Sequence, residues 1–145
     1  VMKNTFEQIY EKVDQQAKAV CAAKSDKERE EARQFLNKTI SEIESLDFYT
    51  VHIWHEYKNA RDCGNSRLNL SEIIWDHQIA EIFACMKVNG VKEFTFSGTY
   101  SNALETALLF QQEGCVMEGM VKVFSTYTDA NGEHTEVPAL LFKIK

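Results

Sequence analysis

Proline occurs once, as Pro138, and glycine only six times in 145 residues. That scarcity leaves no room for a flexible linker or a low-complexity arm. Residues 1–145 are therefore expected to fold as a single domain, large enough for a hydrophobic core without metal or disulfide staples. Long apolar runs are also missing. None approaches the roughly 20 residues of a membrane span, and the opening stretch VMKNTFEQIYEK lacks the apolar centre of a signal peptide. These absences predict a cytoplasmic location and no membrane partner. Cysteine is present four times, as Cys21, Cys63, Cys85 and Cys115, but without a C-x-x-C pair or zinc-like spacing. Reduced thiols are the expectation.

A basic excess is missing as well. The formal net charge is −6, and residues 93–145 carry 3 Lys/Arg against 7 Asp/Glu. Nucleic-acid binding draws most of its affinity from cations set against phosphates, so no nucleic-acid partner is expected. An acidic surface can still occupy a basic groove on another protein. No cofactor motif occurs, and none of the nucleophile, base or metal sets has diagnostic spacing.

What is present is helical periodicity followed by alternation. Phe6, Ile9, Tyr10, Val13, Ala17, Val20 and Cys21 recur at helical spacing over 4–23. Ser25-Asp-Lys-Glu28 reads as a capping box, opening a helix to about Leu46 with Phe35, Leu36, Thr39, Ile40 and Ile43 on one stripe. The two helices are expected to pair as an antiparallel hairpin whose stretch DKEREEAR projects into solvent. A third helix spans 47–63, stopped by Gly64, and GNSRLN reads as a loop. Asn69 or Ser71 is the expected cap of a fourth helix through Val88, ended by Asn89-Gly90.

Residues 93–97, EFTFS, alternate as a strand. A helix over 102–113 would bury Ala103, Leu104, Ala107, Leu108 and Phe110. Strands at 116–128 and 134–144 flank DANGE. A two-residue turn at Asn131-Gly132 would pair Val123 with Leu140 and Val121 with Phe142 on the core face, leaving Lys122, Phe124, Thr126 and Lys143 opposite. The fold class is thus α+β. A helical half, 1–90, of about four helices precedes a β-α-β-β half, 91–145, with a small three-stranded sheet and ALLFKI in its middle.

Three places carry candidate chemistry. The loop SGTYSN joins a strand to a helix N-terminus, where free N–H groups and the dipole favour anions. Ser97, Thr99, Tyr100 and Ser101 are its candidate ligand-binding residues. It has no lysine and only one glycine, and helix capping accounts for the same residues. In HIWHEY, His52, His55 and Glu56 are candidate metal ligands near one helical face, yet the spacing is not H-E-x-x-H and a solvated face explains it equally. Trp54 and Trp75 are candidate partner anchors, with packing between helices as the plainer role.

The stretch EFTFSGTYSNALETALLFQQEGCVMEGM, followed by VPALLFK, resembles a group of small uncharacterised bacterial proteins found among accessory genes of plasmids and conjugative elements. The resemblance covers about residues 93–145. It implies an accessory role in a mobile element, including action on a host protein, and carries over no functional residue. The reading is a small cytoplasmic protein, not an enzyme, that binds a protein partner or a second copy of itself and takes no cofactor. The alternative is a small-molecule or anion-binding domain using the strand-to-helix loop 97–102.

Overall fold

The computed structural model describes residues 5–70, 78–98 and 103–145, apart from the side chains of 125–128. Five helices and a four-stranded mixed sheet make an α+β fold: α1 Thr5–Ala22, α2 Asp26–Glu44, α3 Phe48–Asp62, β1 Arg67–Leu70, α4 Ile79–Val88, β2 Glu93–Phe96, α5 Ala103–Gln112, β3 Cys115–Thr128 and β4 His134–Ile144. The strand order is β1-β2-β4-β3. β1 and β2 are parallel, and β4 runs antiparallel to both β2 and β3. The apolar C-terminal strand therefore does lie inside the sheet.

One extra strand changes the topology. Residues 67–70 form β1 rather than a loop, aligned with β2 from Arg67–Glu93 to Leu70–Phe96. Its four residues alternate, with Leu68 and Leu70 buried, but a run so short gives little periodicity, and its partner lies 26 residues away. Asn69 consequently sits in a strand and caps no helix. The first residue of α4 follows Gln78, which makes no side-chain cap bond. Ser71, the other expected cap, falls outside the described residues.

Both β1-α4-β2 and β2-α5-β3 connect parallel strands and step in the same direction across the sheet. Right-handed crossovers therefore set α4 and α5 on one face. Phe94, Phe110 and Phe142 meet there, with centroids 4.9, 5.3 and 5.6 Å apart. Leu68, Leu70, Ile82, Met86 and Phe96 extend the same core. The opposite face is closed differently. Flat spacing would separate β1 from β3 by about 14 Å, yet the Asn69 side-chain amide reaches the Phe124 carbonyl at 3.4 Å. The sheet curls, and Thr95 and Ala139 are buried on that inner face. The curl follows a register shift between Met117 and Gly119, where Gly119 takes φ +144°. A bulge bends a strand and increases its twist.

The hairpin register differs from the expected one. Val121 faces Ala139 and Val123 faces Val137, so both valines lie opposite to Leu140 and Phe142, while Lys122 and Phe124 share the Phe142 side. The turn spans Asp129 to Glu133. Gly132 alone takes positive φ, and no other residue type does so among those described. The Gly132 N–H donates to the Asp129 carbonyl (3.0 Å), and the Asp129 carboxylate accepts from the Asn131 and Glu133 N–H groups. The aspartate's side chain thus stabilises a longer loop than Asn-Gly alone would need.

The N-terminal helices pair as expected, and Ser25 Oγ accepts from the Glu28 N–H (3.1 Å). Glu28 reaches back one residue further than the motif, accepting from the Lys24 N–H (2.8 Å). The hairpin docks only at its base. Phe6 is buried against Trp54 and Tyr57, with centroids at 5.6 and 5.4 Å. Its N–H, free at a helix start, donates to the Asn89 side chain (3.0 Å), which itself donates to the Cys85 carbonyl (2.9 Å). From residue 14 to residue 35 no side chain is buried. α1 is about 27 Å long, so its outer two-thirds and the facing part of α2 form an arm with no layer to pack on.

Truncating Phe110 to Ala should cost about 3–5 kcal/mol, and Asn89→Ala about 1–3 kcal/mol by orphaning the Phe6 N–H. Phe35→Ala, on the arm, should stay within about 0.5 kcal/mol. Urea unfolding monitored by circular dichroism measures all three. An Asn89→Ala variant as stable as wild type would show that this clamp does not hold α1.

Candidate functional site

α3 begins where Asp47 accepts hydrogen bonds from the Thr50 hydroxyl (2.8 Å) and N–H (3.1 Å). Those bonds, the hydroxyl first, hold the Asp47 carboxyl below its usual range. The start fixes the helix phase: Ile53, Trp54 and Tyr57 point into the core. Trp54 is 2% exposed, which corrects its candidacy as a partner anchor. Burial of a large ring among Phe6 and Tyr57 is worth more to the fold than to a surface. Trp75 lies outside the described residues.

His52 and Glu56 follow one turn apart at the border of the buried face. The His52 ring stacks on Phe48 with centroids 6.4 Å apart, and its Nε2 is buried without a hydrogen-bond partner. Burial, then the charge of His55, lowers its pKa. Burial alone pushes the Glu56 carboxyl up to about 7. His55 turns elsewhere: it is exposed, and its Nε2 lies 3.1 Å from Glu44 of α2. The structure thus sets His52 and Glu56 on neighbouring turns and sends His55 to another helix. Among the described residues no group of three His, Cys, Asp or Glu side chains is disposed to hold a metal ion. A carboxyl titrating near neutrality beside an imidazole that stays neutral can exchange a proton with solvent. A cleft of about 460 Å³ at the start of α3 is lined by Asp47, Tyr49, Thr50, Glu81, Ala84 and Cys85.

Of the strand-to-helix loop, Ser97 is described and half-buried, and its N–H donates to the Leu70 carbonyl (3.0 Å). That donor is committed to the backbone. Thr99, Tyr100 and Ser101 lie outside the described residues. The four cysteines are free thiols. Burial, then Glu113, pushes the Cys115 thiol up to about 11, and burial raises Cys85. Neither is poised as a nucleophile.

The sequence did not lead to an expectation of an exposed apolar edge. Leu104 and Leu108 were expected inside, but they are 82% and 52% exposed, while Thr106 is fully buried with Ala107 and Phe110. Docking of Phe110 between Phe94 and Phe142 sets the phase of α5 and turns the two leucines outward. Met117, Met120 and Phe124 of β3 are exposed too. The buried threonine was the available signal: a helix that buries positions 106, 107 and 110 cannot also bury 104 and 108.

Residues 52–144 match a family model described as a domain of unknown function (DUF7698). Neither the curated proteins nor the solved structures give a match to the chain. The match begins within α3 and leaves out α1 and α2. Among the described residues no helix is long and apolar enough to cross a membrane.

The raised Glu56 pKa predicts a pH-dependent stability difference. Between the unfolded value near 4.5 and the folded value of about 7, the native state holds the proton that the unfolded chain has lost. Stability therefore falls as pH rises through that window. Glu56→Gln removes this slope, so it should gain on the order of 2 kcal/mol over wild type between pH 4.5 and pH 8, after allowing for residual solvent screening. Urea unfolding of both proteins at those two pH values measures the gain. An unchanged difference would place Glu56 in solvent.

Proposed function

This chain belongs to the family of that domain of unknown function, and from that premise we propose that it is a protein-binding module. Its docking element is the helical arm added ahead of the matched residues. One observation carries the reading: 22 consecutive residues, 14–35, fold as two paired helices without burying a single side chain. Two helices alone cannot enclose a core. Layers of secondary structure gain stability by covering one another's apolar faces, and isolated helices of this length are marginal in water. An arm of this kind acquires its missing layer from a partner.

The arm has the chemistry for it. Ala17, Val20, Ala23 and Ala32 are half-buried along the seam, and Phe35 stands 66% exposed. Arm charges balance, with Lys18, Lys24, Lys27, Arg29 and Arg33 against Asp14, Asp26, Glu28, Glu30 and Glu31. A partner of either sign is thus tolerated, whereas a polyanion is not favoured. The alternative, a small-molecule or anion site at loop 97–102, has less behind it: the described donor there, Ser97 N–H, is already used. A host protein as the partner of a mobile-element accessory protein is the finer part of the same proposal, and rests on the resemblance of residues 93–145.

Affinity capture from host lysate with wild type and with Phe35→Glu compares the two surfaces directly. Phe35→Glu should leave the thermal midpoint within a few degrees and reduce recovery of the captured protein by about tenfold or more. A protein recovered equally by both variants would mean that the arm is not its docking element.

A further inference from the structure

The second uncovered surface points to a different occupant. Strand order makes β3 an outer strand, and at 14 residues it is the longest in the sheet. A long apolar edge is a template for another strand. β3 also bears Met117, Met120 and Phe124 on the side of the sheet that α5 covers, and they are 38%, 68% and 65% exposed. α5 buries Thr106, Ala107 and Phe110. With a right-handed crossover, the helix positions one third of a turn from that buried arc, Leu104 and Leu108, flank the β3 side. Five of the large exposed apolar side chains thus gather along one edge, where single exposed residues would need no explanation but a patch does.

We propose that this edge is a symmetric interface for a second copy of the chain, with β3 paired antiparallel to its counterpart about a two-fold axis at Met120. Three observations commit the site to that occupant. First, the charges select the register. Centring the dyad on Met120 sets Glu118 of each chain opposite Lys122 of the other, giving two complementary pairs. Centring it on Glu118 or on Lys122 would oppose like charges, which is destabilising.

Second, the dimensions fit. Strands 4.8 Å apart would place the two α5 axes, each over β4, about 14 Å from one another. Helices about 10–12 Å across with side chains leave a gap of only about 2–4 Å at that spacing, and Leu104, Leu108, Met117 and Met120 from both copies are the residues that line it. Third, no other helix or strand among the described residues pairs with the outer side of β3. The arm joins the body through α3, whose strand contacts are with β1. The arm is thus not an element of the proposed seam.

The bulge at 117–119 bends β3, and the Asn69 amide already holds the Phe124 carbonyl. Main-chain pairing is thus confined to a short seam, about 118–122. Glu118 also lies 4.0 Å from Lys143 of its own chain, an exposed pair with which the intermolecular contact to Lys122 competes.

Sedimentation velocity at about 100 µM and low salt tests the proposal, with the thermal midpoint of each variant as the control for folding. Wild type should sediment as a dimer. Met120→Glu, at an exposed position, should be a monomer that still unfolds in one cooperative transition, with a midpoint lowered only by the lost dimer linkage. Glu118→Lys and Lys122→Glu should each weaken the dimer about tenfold, by turning two attractive pairs into two repulsive ones. The double variant Glu118→Lys/Lys122→Glu should recover to within about threefold of wild type, because both pairs are reversed together. A monomeric wild type overturns the proposal. So does a dimer that survives Met120→Glu, or a double variant no tighter than the single ones.

Discussion

The sheet receives all of its described helical cover on one face, and the rest of the molecule follows from that. Two crossovers of the same hand, stepping the same way, bring α4 and α5 to the same side, where Phe94, Phe110 and Phe142 interlock. Among the described residues, the other side is closed by the sheet itself. Gly119 and the adjacent bulge let the β3–β4 hairpin bend until Asn69 reaches Phe124. Inner residues such as Thr95 and Ala139 are buried by strand curling. A substitution that filled the glycine's positive-φ position would act on this closure rather than on packing, since no atom crowds it.

That economy leaves two surfaces uncovered. At the β1 side, α3 takes one end of the α1–α2 hairpin and offers no face long enough for the remainder. Phe6 and Asn89 hold the base, and the outer part extends into water. At the β3 side, the phase of α5 is set by Phe110, so Leu104 and Leu108 project over an outer strand carrying two methionines. The chemistry of side chains is comparatively quiet. Among the described residues the carboxyl strongly displaced from its usual range is Glu56, which owes that to burial, and the Nε2 of neighbouring His52 is buried without a hydrogen-bond partner. The surfaces, rather than a reactive cleft, are where the fold departs from a self-sufficient globule.

Much of this was legible from residues alone where the signal is local. The extents of α1, α2, α3 and α5, the Ser25 cap, the stop at Gly64 and the central place of the C-terminal strand follow from period, capping chemistry and apolarity. What was not legible depends on distant partners. β1 is four residues whose pairing lies in β2. The hairpin register was set by Asp129 holding a longer turn, which reverses the faces of Val121 and Val123, and by a further shift between Phe124 and Thr128. The outward turn of Leu104 and Leu108 comes from the aromatic cluster that captures Phe110. At the candidate sites, the spacing of His52 and Glu56 was correctly read, but the departure of His55 to Glu44 required knowing where α2 runs. Trp54 shows the converse: an anchor by residue type, it is a core residue by position. The candidates Thr99, Tyr100, Ser101 and Trp75 lie outside the described residues.

The central claim is that residues 14–35 form helices supported by nothing but each other. Amide hydrogen exchange of the native protein measures this residue by residue, because protection reports the free energy of local opening. The account predicts the slowest exchange in β2, β4 and the buried side of α3, with amides 14–35 opening at a small fraction of the global unfolding free energy. Protection of 14–35 equal to that of β4 would contradict it, since the arm would then be part of the core.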